Sequence, residues 1–172
     1  MKHTISVLVE NRFGELARIV GLFGARACNI ESLSVAPTHD PEFSRVTIVT
    51  TAPDQSVEQI TKQLAKQVRV IEAVDLSLQP SIERDLALFN LKADDRQSLL
   101  DVLNLVSTYR LKVVAQSADG VVVEATGRPS EIDQIIRAIP YSALRGVTRT
   151  GTVALALSPD MQPDMEGFLN ER

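Results

Sequence analysis

Residues 3–10, HTISVLVE, alternate polar and apolar side chains, with Ile5, Val7 and Val9 on one side. That is the pattern of a half-buried strand. From Glu15 the period changes, and Leu16, Ile19, Val20, Phe23 and Ala27 fall at helical spacing as one apolar stripe. Strand patterns return at 31–37, carrying Leu33 and Val35, and at 44–51, carrying Val46, Ile48 and Val49. The sequence THDPE between them is a turn signal. A second helix fits 54–67, opened by Asp54 or Ser56 and burying Val57, Ile60 and Leu64. A strand at 69–78, with Val70, Val74, Leu76 and Leu78, closes a β-α-β-β-α-β series, the split βαβ or ferredoxin-like plan.

After Gln79-Pro80-Ser81 the same order begins again. A strand at 83–93 precedes a helix at 95–109 marked by Leu99, Val102, Leu103 and Val106. Strands at 111–117 and 120–126 flank the hairpin signal Asp119-Gly120. Pro129 opens a helix at 129–139 that buries Ile132, Ile135, Ile136 and Ile139. Strands at 143–149 and 152–157 complete the series. The fold class is therefore α+β, with one ferredoxin-like βαββαβ domain at 1–79 and a second at 80–157. Residues 158–172 follow neither period and read as a mobile terminal tail. Two helices with one stripe each cover only one face of a four-stranded sheet. The other face and the sheet edges are expected to meet water or a partner, and the apolar runs Val7-Leu8-Val9 and Val46–Val49 favour a partner, as in an obligate dimer or larger assembly.

Composition narrows the function. Hydrophobic residues form 44% of the 172 and aromatics only 4%, so the cores must be aliphatic and base-stacking platforms are scarce. The net charge of −4 offers no basic footprint for a phosphate backbone. A single cysteine, Cys28, rules out an internal disulfide framework and fits a reducing compartment. No apolar run approaches the roughly 20 residues that span a bilayer, and the first residues alternate rather than form a signal-peptide core. A soluble, cytoplasmic protein without nucleic-acid or membrane partners is expected.

Catalytic chemistry is sparse. His3 lies in a strand and His39 in a polar turn, and no metal-ligand spacing or phosphate loop is present. Cys28 has no histidine beside it in sequence and reads as a packing residue. Asp94-Asp95 reads as a helix start, and Asp160 and Asp164 as solvated tail.

A binding site is more legible. Asn11, Arg12, Phe13 and Gly14 join the first strand to the first helix, where unpaired N–H groups and a positive dipole end suit a carboxylate. Gly14 permits close approach to the backbone, and Asn11 brings donors and an acceptor for a zwitterion. Asn29 follows the far end of the helix. Each feature also has a plain reading: Asn-x-x-Gly is an ordinary turn and cap, and Asn29 fits a helix C-cap.

The segments ISVLVENRFGELARIVGLF, NIESLSVAPTHDPEFSRVTI, ERDLALFNLKA, TGRPSEIDQIIRAI and GVTRTG resemble the regulatory (small) subunits of acetohydroxyacid synthase, also called acetolactate synthase. The resemblance runs over about residues 3–157. It implies that the first half is an ACT domain, which binds amino acids between paired domains. Asn11, Gly14 and Asn29, with the backbone around Glu15, Leu16 and Ile30, would hold the feedback inhibitor valine, with leucine or isoleucine as alternatives. It further implies a homodimer without catalysis of its own, partnered by a catalytic subunit. Thiamine diphosphate, Mg2+ and FAD would belong to that subunit, and this chain would carry no cofactor. A free-standing ACT-type regulator of another enzyme or of transcription is the alternative. Two departures stand out: Ala27-Cys28 where the family usually has glycine and an aromatic, and Phe13 where a smaller residue is common.

Overall fold

Alternation along the first segment produces β1 (Lys2–Glu10), with Ile5, Val7 and Val9 buried on one side. The computed structural model describes residues 1–158. α1 (Glu15–Gly24), β2 (Asn29–Pro37), β3 (Phe43–Thr51), α2 (Asp54–Leu64) and β4 (Val70–Asp75) follow. Every pairing is antiparallel, in the order β2-β3-β1-β4, so β1 is central while β2 and β4 are the outer strands. Ile19 and Phe23 of α1 and Val57, Ile60 and Leu64 of α2 pack on Ile5, Val7, Val46 and Ile48. Each such aliphatic burial stabilises the fold by roughly 1.5–3 kcal/mol.

The second series repeats the plan. It consists of β5 (Ser81–Lys92), α3 (Arg96–Tyr109), β6 (Lys112–Gln116), β7 (Gly120–Gly127), α4 (Pro129–Ala138) and β8 (Leu144–Arg149), in the order β6-β7-β5-β8. Phe89, Leu91, Val102, Val123 and Ile132 form its core. Asp95 starts α3 with a reciprocal cap: its carboxylate accepts from the Ser98 N–H at 2.7 Å, and its own N–H donates to the Ser98 hydroxyl at 3.1 Å. The Ser98 backbone N–H, aided by the hydroxyl, holds the Asp95 carboxyl below the ordinary carboxylate range.

Three expectations about single elements need correction. α1 ends at Gly24, and exposed Ala27 takes a left-handed conformation (φ 53°) instead of extending the apolar stripe. β4 stops at Asp75 because the next three residues, Leu76–Leu78, wind into a 3-10 turn capped by the Asp75 carboxylate on the Ser77 N–H at 3.0 Å. In α3 the leucines occur on several sides, and the stripe that packs inward is Val102, Leu105, Val106 and Tyr109. Leu99 and Leu103 lie outside that stripe and are 43% and 50% exposed.

The chain forms two compact units. Among the described residues, one unit comprises Met1–Glu83 together with 152–158, and the other comprises Arg84–Gly151. The Thr152 N–H donates to the Ser32 hydroxyl at 2.8 Å, and the Leu157 N–H to the Pro80 carbonyl at 2.9 Å. These bonds hold β9 (Val153–Ala156), which pairs with β5 as a fifth strand of the second sheet and also lies near β1. By register Ser32 belongs to the sheet face without helices. Thr4, Ser6, Thr47 and Val49 on that face are buried within the chain, so it is not the open surface expected. Except for Ser158, the expected tail lies outside the described residues. Among the described residues, no helix is long and apolar enough to cross a membrane.

Within the second unit, Asp85 is a buried carboxylate near the start of β5. Arg149 of β8 donates to it through Nε at 2.8 Å and through Nη2, and reaches Asp133 of α4 through Nη1 at 2.7 Å. The Thr150 hydroxyl adds a bond at 3.2 Å. Burial pulls the Arg149 guanidinium down, but hydrogen bonds to Asp85 and Asp133 outweigh it and raise the group above its ordinary range. Removing the guanidinium strands Asp85 in the interior. Arg149→Ala is expected to lower stability by about 3 kcal/mol in denaturant unfolding, and a loss below 1 kcal/mol would contradict this assignment.

Candidate functional site

The β1–α1 loop leaves the central strand and turns at Gly14, which has φ +85° and precedes the first residue of α1. A side chain at this φ is strained, whereas the space around the position is open, with nothing within 4 Å of a built Cβ. The Asn11 N–H donates to the Glu42 carbonyl at 2.6 Å, and its Nδ2 to the Pro41 carbonyl at 3.0 Å. These bonds pin the loop to the β2–β3 turn. Among the described residues nothing donates to the Asn11 carboxamide oxygen.

Among the described residues nothing accepts from the N–H groups of Phe13, Gly14, Leu16 or Ala17. Four such donors beside a helix start are chemically suited to an anion. The side chain of Glu15 does not enter it. That carboxylate is turned inward, 2% exposed, and meets Arg18 Nη1 at 2.8 Å and Arg69 Nη1 at 3.2 Å. Without the two guanidinium groups it would oppose an incoming carboxylate at the same helix end. Glu15–Arg18 was readable as an i, i+3 pair, but Arg69, 54 residues from Glu15, was not. Leu16 is 37% exposed, and Phe13 projects fully into solvent.

Asn29 is the first residue of β2, not a helix cap. Its carbonyl accepts from the Thr50 hydroxyl at 2.6 Å, while its side chain is exposed. Capping falls to Ala27, with the Cys28 N–H closing on the Phe23 carbonyl at 3.0 Å. Ile30, half-buried, packs against the core and pairs with Thr50.

Register places these residues at opposite ends of one sheet. Asn29 pairs with Thr51, which pairs with Lys2 at the beginning of β1, whereas Asn11 follows Glu10 at its end. At ~3.3 Å per residue, β1 separates them by roughly 26 Å. A single amino acid, whose backbone contributes only about 3.6 Å of extended chain, is several times shorter than that separation. Within a single chain Asn11 and Asn29 cannot touch one such ligand.

The residues considered for catalysis do not assemble a nucleophile. His3 is 2% exposed, with Nδ1 2.8 Å from Asp75 Oδ2 and Nε2 3.1 Å from Asp54 Oδ1. Cys28 is half-buried, and its thiol donates to the Arg26 carbonyl at 3.7 Å. Among the described residues no cluster of His, Cys, Asp and Glu is arranged to hold a metal.

Residues 5–72 match the model of the AHAS small subunit-like ACT domain, and residues 84–158 that of the small subunit of acetolactate synthase. The acetolactate synthase small subunit of Mycolicibacterium smegmatis is 39% identical over 159 residues, covering 91% of this chain and 92% of its own. This chain belongs to the acetolactate synthase small-subunit family. A probable acetolactate synthase small subunit from Archaeoglobus fulgidus is 38% identical over 155 residues, 90% of this chain and 96% of that one. The crystal structure of the Thermotoga maritima small subunit matches with a TM-score of 0.81 and 31% identity, over 92% of this chain and 98% of that one. The ACT-type fold read from the first half is the fold this family has.

The left-handed Ala27 carries a cost that glycine avoids, and glycine is what the resemblance leads one to expect there. Ala27→Gly is expected to stabilise the chain by about 0.5–1 kcal/mol in denaturant unfolding. A destabilising effect would contradict the conformation assigned to this turn.

Proposed function

We propose that this chain is a regulatory subunit of acetolactate synthase. It binds and activates the thiamine-diphosphate-dependent catalytic subunit and makes it sensitive to a branched-chain amino acid, valine first. The catalytic subunit condenses two pyruvates, or pyruvate with 2-oxobutyrate, and supplies the thiamine diphosphate, Mg2+ and FAD. This chain contributes no cofactor and no catalytic group. Its place is cytoplasmic.

The observation that carries this reading is the unpaired N–H cluster at Phe13, Gly14, Leu16 and Ala17, beside the free acceptor of Asn11. Amide donors suit the carboxylate of an amino acid, and the acceptor suits its ammonium. The separation of Asn11 from Asn29 supports a shared site. In a two-fold dimer, the loop of one protomer meets the start of β2 in the other, giving two equivalent sites. The outer position of β2 favours pairing along that side. Valine then acts by holding the dimer in an arrangement that activates less. Such coupling requires different valine affinity in the two arrangements and is reciprocal in binding.

The test is co-purification with the catalytic subunit, followed by acetolactate formation with and without valine. Wild-type chain is expected to raise activity and valine to lower it. Asn11→Ala and Gly14→Asp are expected to retain activation while valine sensitivity falls at least tenfold. No complex and no activation would overturn the role, and unchanged inhibition in both variants would overturn the site.

A further inference from the structure

At the other side of the first unit, α2 and β4 border a cleft of about 610 Å3. That size lies within the range of ligand-binding clefts. Its wall from the helix includes Asp54, Glu58 and Lys62, which share one side of α2 opposite Val57, Ile60 and Leu64. Its other wall is Ala73, Val74 and Asp75, ending at Leu78 of the 3-10 turn.

Consecutive strand residues point to opposite faces of a sheet. A cleft lined by Ala73, Val74 and Asp75 together, with His3 of β1 at its inner end, therefore runs from the seam between α2 and the sheet out to the open edge of β4. β4 is an outer strand, so its edge has hydrogen-bonding groups that no strand among the described residues takes up. Leu78 is 81% exposed at one end of the edge, and Ile71, in the same strand, is 57% exposed. The charge is one-sided. Lys62 is paired with Glu58, while Asp54 is 67% exposed and Asp75 faces His3, which both aspartates share. Three carboxylates thus stand against one lysine and one histidine.

We propose that this cleft docks an extended segment of a partner protein that carries a lysine or arginine between apolar residues. The segment adds to β4 as a further strand, places apolar side chains on Val74 and Leu78, and sets its cation among Asp54, Glu58 and Asp75. Strand addition accounts for the edge position, and the carboxylates select the charge. The site is separate from the effector loop, because His3 and Asn11 occupy opposite ends of β1. The proposal rests on the regulatory role only in identifying the catalytic subunit as the protein that supplies the segment.

Two probes test it on the full chain. The first is an end-blocked, eight-residue peptide of alternating lysine and valine. Its amide shifts by NMR are expected to concentrate in 54–62 and 71–79 and to weaken at least tenfold in affinity with Glu58→Lys. A glutamate–valine peptide should produce none. Absence of shifts, or shifts spread over the acidic surface and insensitive to Glu58→Lys, would overturn the site. The second probe is the catalytic subunit. Glu58→Lys combined with Leu78→Asp changes only exposed side chains and is expected to weaken binding at least tenfold with an unchanged circular dichroism spectrum. Equal binding by variant and wild type would overturn the docking site and leave the regulatory role standing. Failure of the wild-type chain to bind would overturn the role, and the peptide result then decides the docking site alone.

Discussion

The length and register of β1 constrain what this molecule can do. Nine residues of central strand, paired with β3 on one side and β4 on the other, hold the Asn11–Gly14 loop at one end of the sheet. The same ladder, carried through β3 to β2, holds Asn29 at the other. Slipping the register by one residue would turn Ile5, Val7, Val46 and Ile48 out of the core, so the separation is as firm as the hydrophobic packing itself. Residues that one small ligand is expected to join are thus kept apart by the interactions that stabilise the fold. In the function proposed above, a second chain resolves that conflict.

Local electrostatics make the loop usable. Gly14 turns the chain in a conformation that leaves the donors of the first helical turn unpaired. Glu15 follows at once, and its charge would defeat an anion site if it faced outward. Arg18 and Arg69 draw it into the interior, where it joins α1 to the segment before β4. The loop is therefore tied to the body of the unit on two sides, through Asn11 to the β2–β3 turn and through Glu15 to Arg69. Binding at this loop has direct mechanical routes into the sheet.

Much of the architecture was legible because both repeats obey simple periods. Ile5, Val7 and Val9 alternate, Val57, Ile60 and Leu64 recur at helical spacing, and each is buried as those periods require. Sequence reasoning failed where several patterns coexist or where the deciding contact is remote. In α3 leucines on more than one side offered competing stripes, and only packing selected Val102, Leu105 and Val106. The placement of β9 depends on Ser32 and Pro80, far from Thr152 and Leu157 in sequence, and no local period encodes it. The loop chemistry of Asn11 and Gly14 could be read directly. Their separation from Asn29 could not, because it follows from strand pairing.

The central claim is that each effector site takes Asn11 from one chain and Asn29 from another. Mixed dimers test it most directly. Chains carrying Asn11→Ala and Asn29→Ala, with different affinity tags, are combined and the heterodimer is isolated. One of its sites then carries both substitutions and the other neither. Valine titration by calorimetry is expected to give one site per heterodimer with wild-type affinity, whereas each variant homodimer has none. A heterodimer with no wild-type site would contradict the shared-site account.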